Sequence, residues 1–146
     1  SEVGIETLLA APPRLEDILA AAEQTGLTVE AHVSTPTDQL PESVRYAVSR
    51  ITQEAVANAL RHAPGEALRF DLTGGPAADG VRSDDVTLIY SNARADGAPD
   101  ASGTGTGLWA IRERVAALGG TVVVDDSPDR WELRVTLPVN RTAVTV

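Results

Sequence analysis

Residues 51 to 64 read ITQEAVANALRHAP, and the polar types among them recur at helical spacing. Glu54, Asn58 and Arg61 stand at i, i+4 and i+7, and His62 follows Asn58 by four. At 3.6 residues per turn the first three fall within an arc of about 60°. Ile51, Ala55 and Ala59 run beside them as an apolar stripe. A solvated flank with an i,i+7 ion pair is the ordinary explanation of such a pattern. Two features count against it. Asn is a mediocre helix former that a surface helix does not need, and a polar group bordering a buried stripe requires a partner. A hard divalent cation bridging phosphates would be such a partner, since Mg²⁺ takes oxygen ligands and keeps several waters.

A second cluster could supply the phosphate side. GTGTGL, from Gly103 to Leu108, stands where a loop runs into a helix. Amides at a helix N-terminus attract anions, and glycine lets a backbone approach a phosphate closely. The Gly-Lys-Ser/Thr ending of a P-loop is missing, and a long loop rather than a strand precedes the glycines, so neither common phosphate fingerprint is matched. Alone, such a run is more often a flexible linker. Facing the amide of Asn58, it would make a nucleotide site.

The elements that must position these groups follow from periodicity. RLEDILAAAEQTG places Leu15, Ile18, Leu19 and Ala22 on one helical face and stops at Gly26. LTVEAHVS alternates Leu27, Val29, Ala31 and Val33 as a half-buried strand would. The spacing predicts a helix from about Glu42 to His62, with Pro41 at its first position and Val44, Val48, Ile51 and Ala55 buried. Pro64 and Gly65 end it. Strands ALRFDLT and DVTLIYS follow, joined by the hairpin connection GGPAADGVRSD. Residues 93 to 107 are small, polar and glycine-rich, without periodicity, a stretch expected to be functional or disordered. LWAIRERVAALGG is a helix with Leu108, Ile111, Val115 and Leu118 inward, and TVVVDD and RWELRVTLP are strands joined by a turn at Ser127–Asp129. Strands arriving in consecutive pairs favour an α+β fold, a two-layer sandwich with helices on one face of a mixed sheet.

Composition narrows the class. The chain has 146 residues, enough for one domain with a sizeable core. Apolar residues make up 42% and charged ones 23%, as in soluble globular proteins, while 3% aromatics leave the core to Val, Leu, Ile and Ala. A net charge of −9 argues against nucleic acid as a partner. There is no Cys, which excludes disulfides, thiolate zinc sites and a thiol nucleophile. No apolar run reaches the ~20 residues that span a membrane, and no signal peptide opens the sequence. A start at Ser1 without Met suggests a piece of something longer.

Together, ITQEAVANALRHA and GTGTGLWAIRERVAALGG carry a family resemblance. The first resembles the N box of the ATPase superfamily that includes gyrase, the Hsp90 chaperones, MutL and histidine kinases. The second is similar to its later glycine box, in the form seen in sensor histidine kinases related to nitrate sensors. The resemblance spans about residues 27 to 138, in the right order and at the right separations. It implies an ATP-lid (Bergerat-type) sandwich enclosing Mg·ATP, with a mobile lid at about residues 93 to 107. By resemblance, Asn58 reaches the Mg²⁺ that bridges the phosphates, and Glu54 orients or deprotonates the phosphoryl acceptor. Arg61 and His62 match positions near the ribose and phosphates. Gly103, Gly105, Thr106, Gly107 and Leu108 form the glycine box, with the amides of Gly105 and Gly107 approaching the triphosphate.

The adenine-reading box departs from the pattern. The family usually carries Asp-x-Gly-x-Gly after the second central strand; here Asn92 stands at the Asp, and Arg94 and Asp96 replace glycines. Some members of the nitrate-sensor-like branch have Asn at that point, so the departure bears on affinity more than on fold. His32, in an alternating strand, reads as a packing or edge residue rather than a phosphoacceptor, which in this family lies on a long dimerisation helix. The resemblance thus implies a single catalytic domain, cytoplasmic, from a homodimeric sensor histidine kinase whose parent could be membrane-anchored by segments outside this chain. It would pass the ATP γ-phosphoryl to a His of the dimerisation domain and thence to a response regulator. An anti-sigma-factor serine kinase and a degenerate nucleotide-binding module are the alternatives.

Overall fold

The computed structural model describes residues 13–63, 65–76, 82–93 and 105–139. The elements, in chain order, are α1 (Leu15–Gln24), β1 (Val29–Val33), a 3₁₀ turn (Thr37–Gln39), α2 (Glu42–His62), β2 (Leu68–Pro76), β3 (Arg82–Ala93), α3 (Gly105–Ala117), β4 (Thr121–Asp126) and β5 (Arg130–Pro138). The strands form one sheet in the order β1-β2-β3-β5-β4. β1 pairs with β2 in parallel and every other pairing is antiparallel, so the sheet is mixed, as the paired order of strands implies.

Period-two alternation decides which face the helices cover. Leu68, Phe70 and Leu72 of β2, Val86, Leu88 and Tyr90 of β3, and Leu133, Val135 and Leu137 of β5 are all fully buried. They meet Leu15, Ile18 and Ala22 of α1, Val44, Val48, Ile51, Ala55 and Ala59 of α2, and Ile111 and Val115 of α3 in one core. Each large aliphatic side chain so buried contributes about 1.5–3 kcal/mol. Phe70 and Tyr90 are cross-strand partners with stacked rings, centroids 4.8 Å apart.

Three expectations shift. Pro41 precedes α2 rather than opening it, and its carbonyl accepts the first helical bond, from the Arg45 amide. β1 is not the half-buried strand that its alternation suggests: Leu27 is buried and Val29 half-buried, but Ala31 and Val33 are exposed. It is an edge strand, paired only with β2 among the described strands. α3 begins at Gly105, three residues before its apolar periodicity, so the end of the glycine-rich stretch is the first helical turn. At its other end Gly119 adopts φ +80°, and the Gly120 amide returns to the Val115 carbonyl, closing the helix as the paired glycines imply. Residues 94–104, which hold most of the expected lid together with Gly103, Arg94 and Asp96, lie outside the described residues.

Candidate functional site

α2 delivers the polar edge that its spacing describes. Ile51, Ala55 and Ala59 are 0%, 1% and 0% exposed, and beside them Glu54 and Asn58 are half-buried while Arg61 is exposed. His62 is half-buried, yet both of its ring nitrogens are closed off from solvent and have no hydrogen-bond partner among the described residues. A buried, unpaired polar atom is costly, and a ligand is one way to satisfy it.

The two motifs meet. A Cβ placed on Gly107 would stand 2.6 Å from Oε2 of Glu54 and 3.5 Å from its Cδ. The glycine box therefore lies directly against the carboxylate of the N-box helix, with Asn58 one turn further along α2. Gly105, Thr106 and Gly107 supply the first amides of α3, which have no acceptor within the helix and whose dipole favours negative charge. Leu108 is half-buried and packs on the core.

β3 contributes Asn92. Val86, Leu88, Tyr90 and Asn92 all point to the helical face, and Asn92 is 6% exposed. Its Nδ2 donates to the Ala93 carbonyl at 3.1 Å, while Oδ1 is buried with no partner among the described residues. Trp131 of β5 lies directly opposite Asn92 across the ladder and is also buried. Among the described residues, the Asn92 acceptor and both His62 ring nitrogens are therefore left without a partner. Among the described residues no group of three or more His, Asp and Glu could hold a metal by itself. The donor set fits a cation bound by one side-chain oxygen and completed by phosphates and water, the habit of Mg²⁺.

Two contacts escape sequence reading. Thr52, on the buried side of α2, shares a 2.7 Å hydrogen bond with the Tyr90 hydroxyl and also donates to the Val48 carbonyl. Tyr90 alternates with Val86 and Leu88, and a buried phenol needs a partner, which was the available signal. The second is a guanidinium–ring contact: Arg114 of α3 lies over the Tyr46 ring of α2, 5.1 Å from its centroid. No local spacing announces it.

Solved structures with this arrangement of elements are known. The histidine kinase domain of a blue-light-activated histidine kinase from Erythrobacter litoralis superposes with a TM-score of 0.64 at 14% identity, over 88% of this chain and 59% of that one. The histidine kinase AdeS from Acinetobacter baumannii gives 0.62 at 16%, over 86% and 63%. The fold is that of histidine kinase catalytic domains. Full-length ShkA in complex with AMPPNP shares this kinase-domain fold, with a TM-score of 0.56 at 18% identity over 88% of this chain and 31% of that one. The chain spans about three-fifths of the length of the first two kinase structures. No protein-family model matches the sequence, and no curated protein matches it. Within the kinase-domain fold of this chain, no described helix is long and apolar enough to cross a membrane.

Proposed function

We propose that this chain is the Mg·ATP-binding catalytic domain of a sensor histidine kinase of the nitrate-sensor-like branch, with residues 1–146 forming a single domain. The observation that carries the reading is the apposition of Gly107 and Glu54. It brings a helix N-terminus suited to phosphates against a carboxylate, with the Asn58 amide one turn away. The Oδ1 of Asn92, without a partner among the described residues, supports it, being an acceptor suited to the amino group of adenine.

In this reading Asn92 accepts from adenine, and His62 and Arg61 lie toward the ribose and phosphates. The amides of Gly105, Thr106 and Gly107, with Gly103 preceding them, hold phosphate oxygens beside Leu108. Asn58 would hold Mg²⁺, which supplies neutralisation of the triphosphate charge. Glu54 orients the imidazole of an incoming His from the dimerisation domain and takes its proton. The bond between the γ-phosphorus and the bridging oxygen breaks, a nitrogen–phosphorus bond forms, and ADP leaves. Such transfer rests on positioning and charge stabilisation rather than covalent help from the protein. The phosphoryl group would then pass to a response regulator. The parent is a homodimer with this domain in the cytoplasm.

γ-Labelled ATP tests the division of labour. The chain alone should not label itself, because His32 stands on the edge strand β1 and His62 at the end of α2, neither of them on a phosphoacceptor helix of a dimerisation domain. An added dimerisation domain should acquire an acid-labile, base-stable phosphoryl group, and Glu54→Gln should slow transfer more than it weakens binding. Self-labelling of the chain would overturn this scheme, and nucleotide binding without transfer to any acceptor would make it a binding module.

A further inference from the structure

We propose that Tyr46 and Arg114 form a positioning clamp that sets how α3 lies along α2 and so keeps Gly107 against Glu54. The two contacts are spaced alike on both helices. Tyr46 precedes Glu54 by eight residues, about 12 Å of helix, and Gly107 precedes Arg114 by seven, about 10–11 Å. The sequence order is opposite on the two, so α3 runs antiparallel to α2 and is tied at two points. Only one of those points can bear directional load. At the Gly107 end there is no side chain, merely space that the carboxylate fills.

Ile111 and Val115 bury α3 against the core and give it its general placement, but burial as such is non-directional. A planar guanidinium over a ring face is directional. Half a turn of slippage, about 2.7 Å, would carry the first amides of α3 off Glu54 and off the axis of Asn58. Both Tyr46 and Arg114 are half-buried, where a cation–ring contact is stronger than in open solvent. Each lies about two helical turns from the Gly107–Glu54 contact, so both act as positioning residues.

The inference rests on the nucleotide reading for its consequence, and the test separates the two. Wild type, Tyr46→Phe, Tyr46→Leu, Arg114→Gln and the Leu/Gln double variant of the 146-residue chain are titrated with Mg·ATP and with AMP. Amide hydrogen exchange is followed at residues 109–113, the first with acceptors inside α3, without nucleotide. Phe keeps the ring face and should behave as wild type. Leu and Gln should each weaken Mg·ATP about two- to fivefold and speed exchange, with the double variant no worse than either single one. AMP affinity should hardly move, because α3 meets the phosphates beyond the first; a general loss of structure would lower both alike. Unchanged ATP affinity and exchange in the Leu and Gln variants, additive losses, or a Phe variant as impaired as Leu would overturn the clamp. If wild type binds no nucleotide, the nucleotide reading falls, and exchange at residues 109–113 alone decides whether the clamp exists.

Discussion

Gly107 and Glu54 are in contact across two helices: a methyl group on Gly107 would sit 2.6 Å from the Glu54 Oε2. Gly107 is not among the glycines with positive φ, so glycine is required here for space and not for backbone conformation. The carboxylate lies at the first turn of α3, where the helix dipole favours negative charge by roughly 0.3–1 kcal/mol. Phosphates of a bound nucleotide would approach the same amides, so Glu54 and the triphosphate share one electrostatic environment.

Gly107→Ala separates stability from function. Alanine in a helix is favoured over glycine by up to about 1 kcal/mol, and the obstructing atom is the far end of a flexible side chain. The melting temperature should therefore hold or rise, while the displaced carboxylate lowers phosphoryl transfer and Mg·ATP affinity. Thermal melts and calorimetry check both signs. An alanine variant with wild-type transfer and affinity would remove this contact from the site.

Asn58→Ala should erase the Mg²⁺-dependent increment of ATP affinity and leave the melting temperature nearly unchanged, since Asn58 is only half-buried. Calorimetric titrations with and without Mg²⁺ measure the increment directly. An increment of equal size in the variant and the wild type would contradict the assignment.

Asn92 has one Nδ2 hydrogen engaged with the Ala93 carbonyl, and its Oδ1 has no partner among the described residues, so it can accept from adenine. Asn92→Ala should weaken ATP by about two- to tenfold, the worth of one neutral hydrogen bond. Asn92→Asp would offer a charged acceptor to adenine, but it loses the donor to Ala93 and buries a carboxylate at a site 6% exposed. The Asp variant should melt below the Ala variant without nucleotide and recover on adding ATP. An Ala variant with unaltered ATP affinity would show that Asn92 does not read adenine.

Tyr90 sets an alkaline limit on stability. Burial pushes its phenol well above the ordinary 10.0, and the Thr52 hydrogen bond offsets only part of that rise. The unfolded chain loses this proton first, so the stabilisation is complete below pH about 10 and declines as pH climbs above it. Tyr90→Phe should cost about 1 kcal/mol at neutral pH through the lost hydrogen bond to Thr52. It should also flatten the fall of melting temperature at alkaline pH. Equal alkaline slopes in Tyr90→Phe and wild type would refute the attribution.

The sequence alone determined the run of α2 from Glu42 to His62, the strands Thr121–Asp126 and Arg130–Pro138, and the polar edge of Glu54 and Asn58 beside Ile51, Ala55 and Ala59. These are matters of period: a helix or strand repeats its exposure every 3.6 or two residues, and the residue types record that repeat locally. Only the tertiary structure decided that β1 is an uncovered edge, so that the alternation of Ala31 and Val33 buries nothing. It alone decided that α3 takes in Gly105 to Gly107, that Gly107 meets Glu54, that Asn92 faces the helices opposite Trp131, and that Arg114 caps Tyr46. Each of these depends on the order of strands in the sheet or on the relative placement of two helices. Such distances are set by how separate faces pack into one core, and no spacing within a single element encodes them.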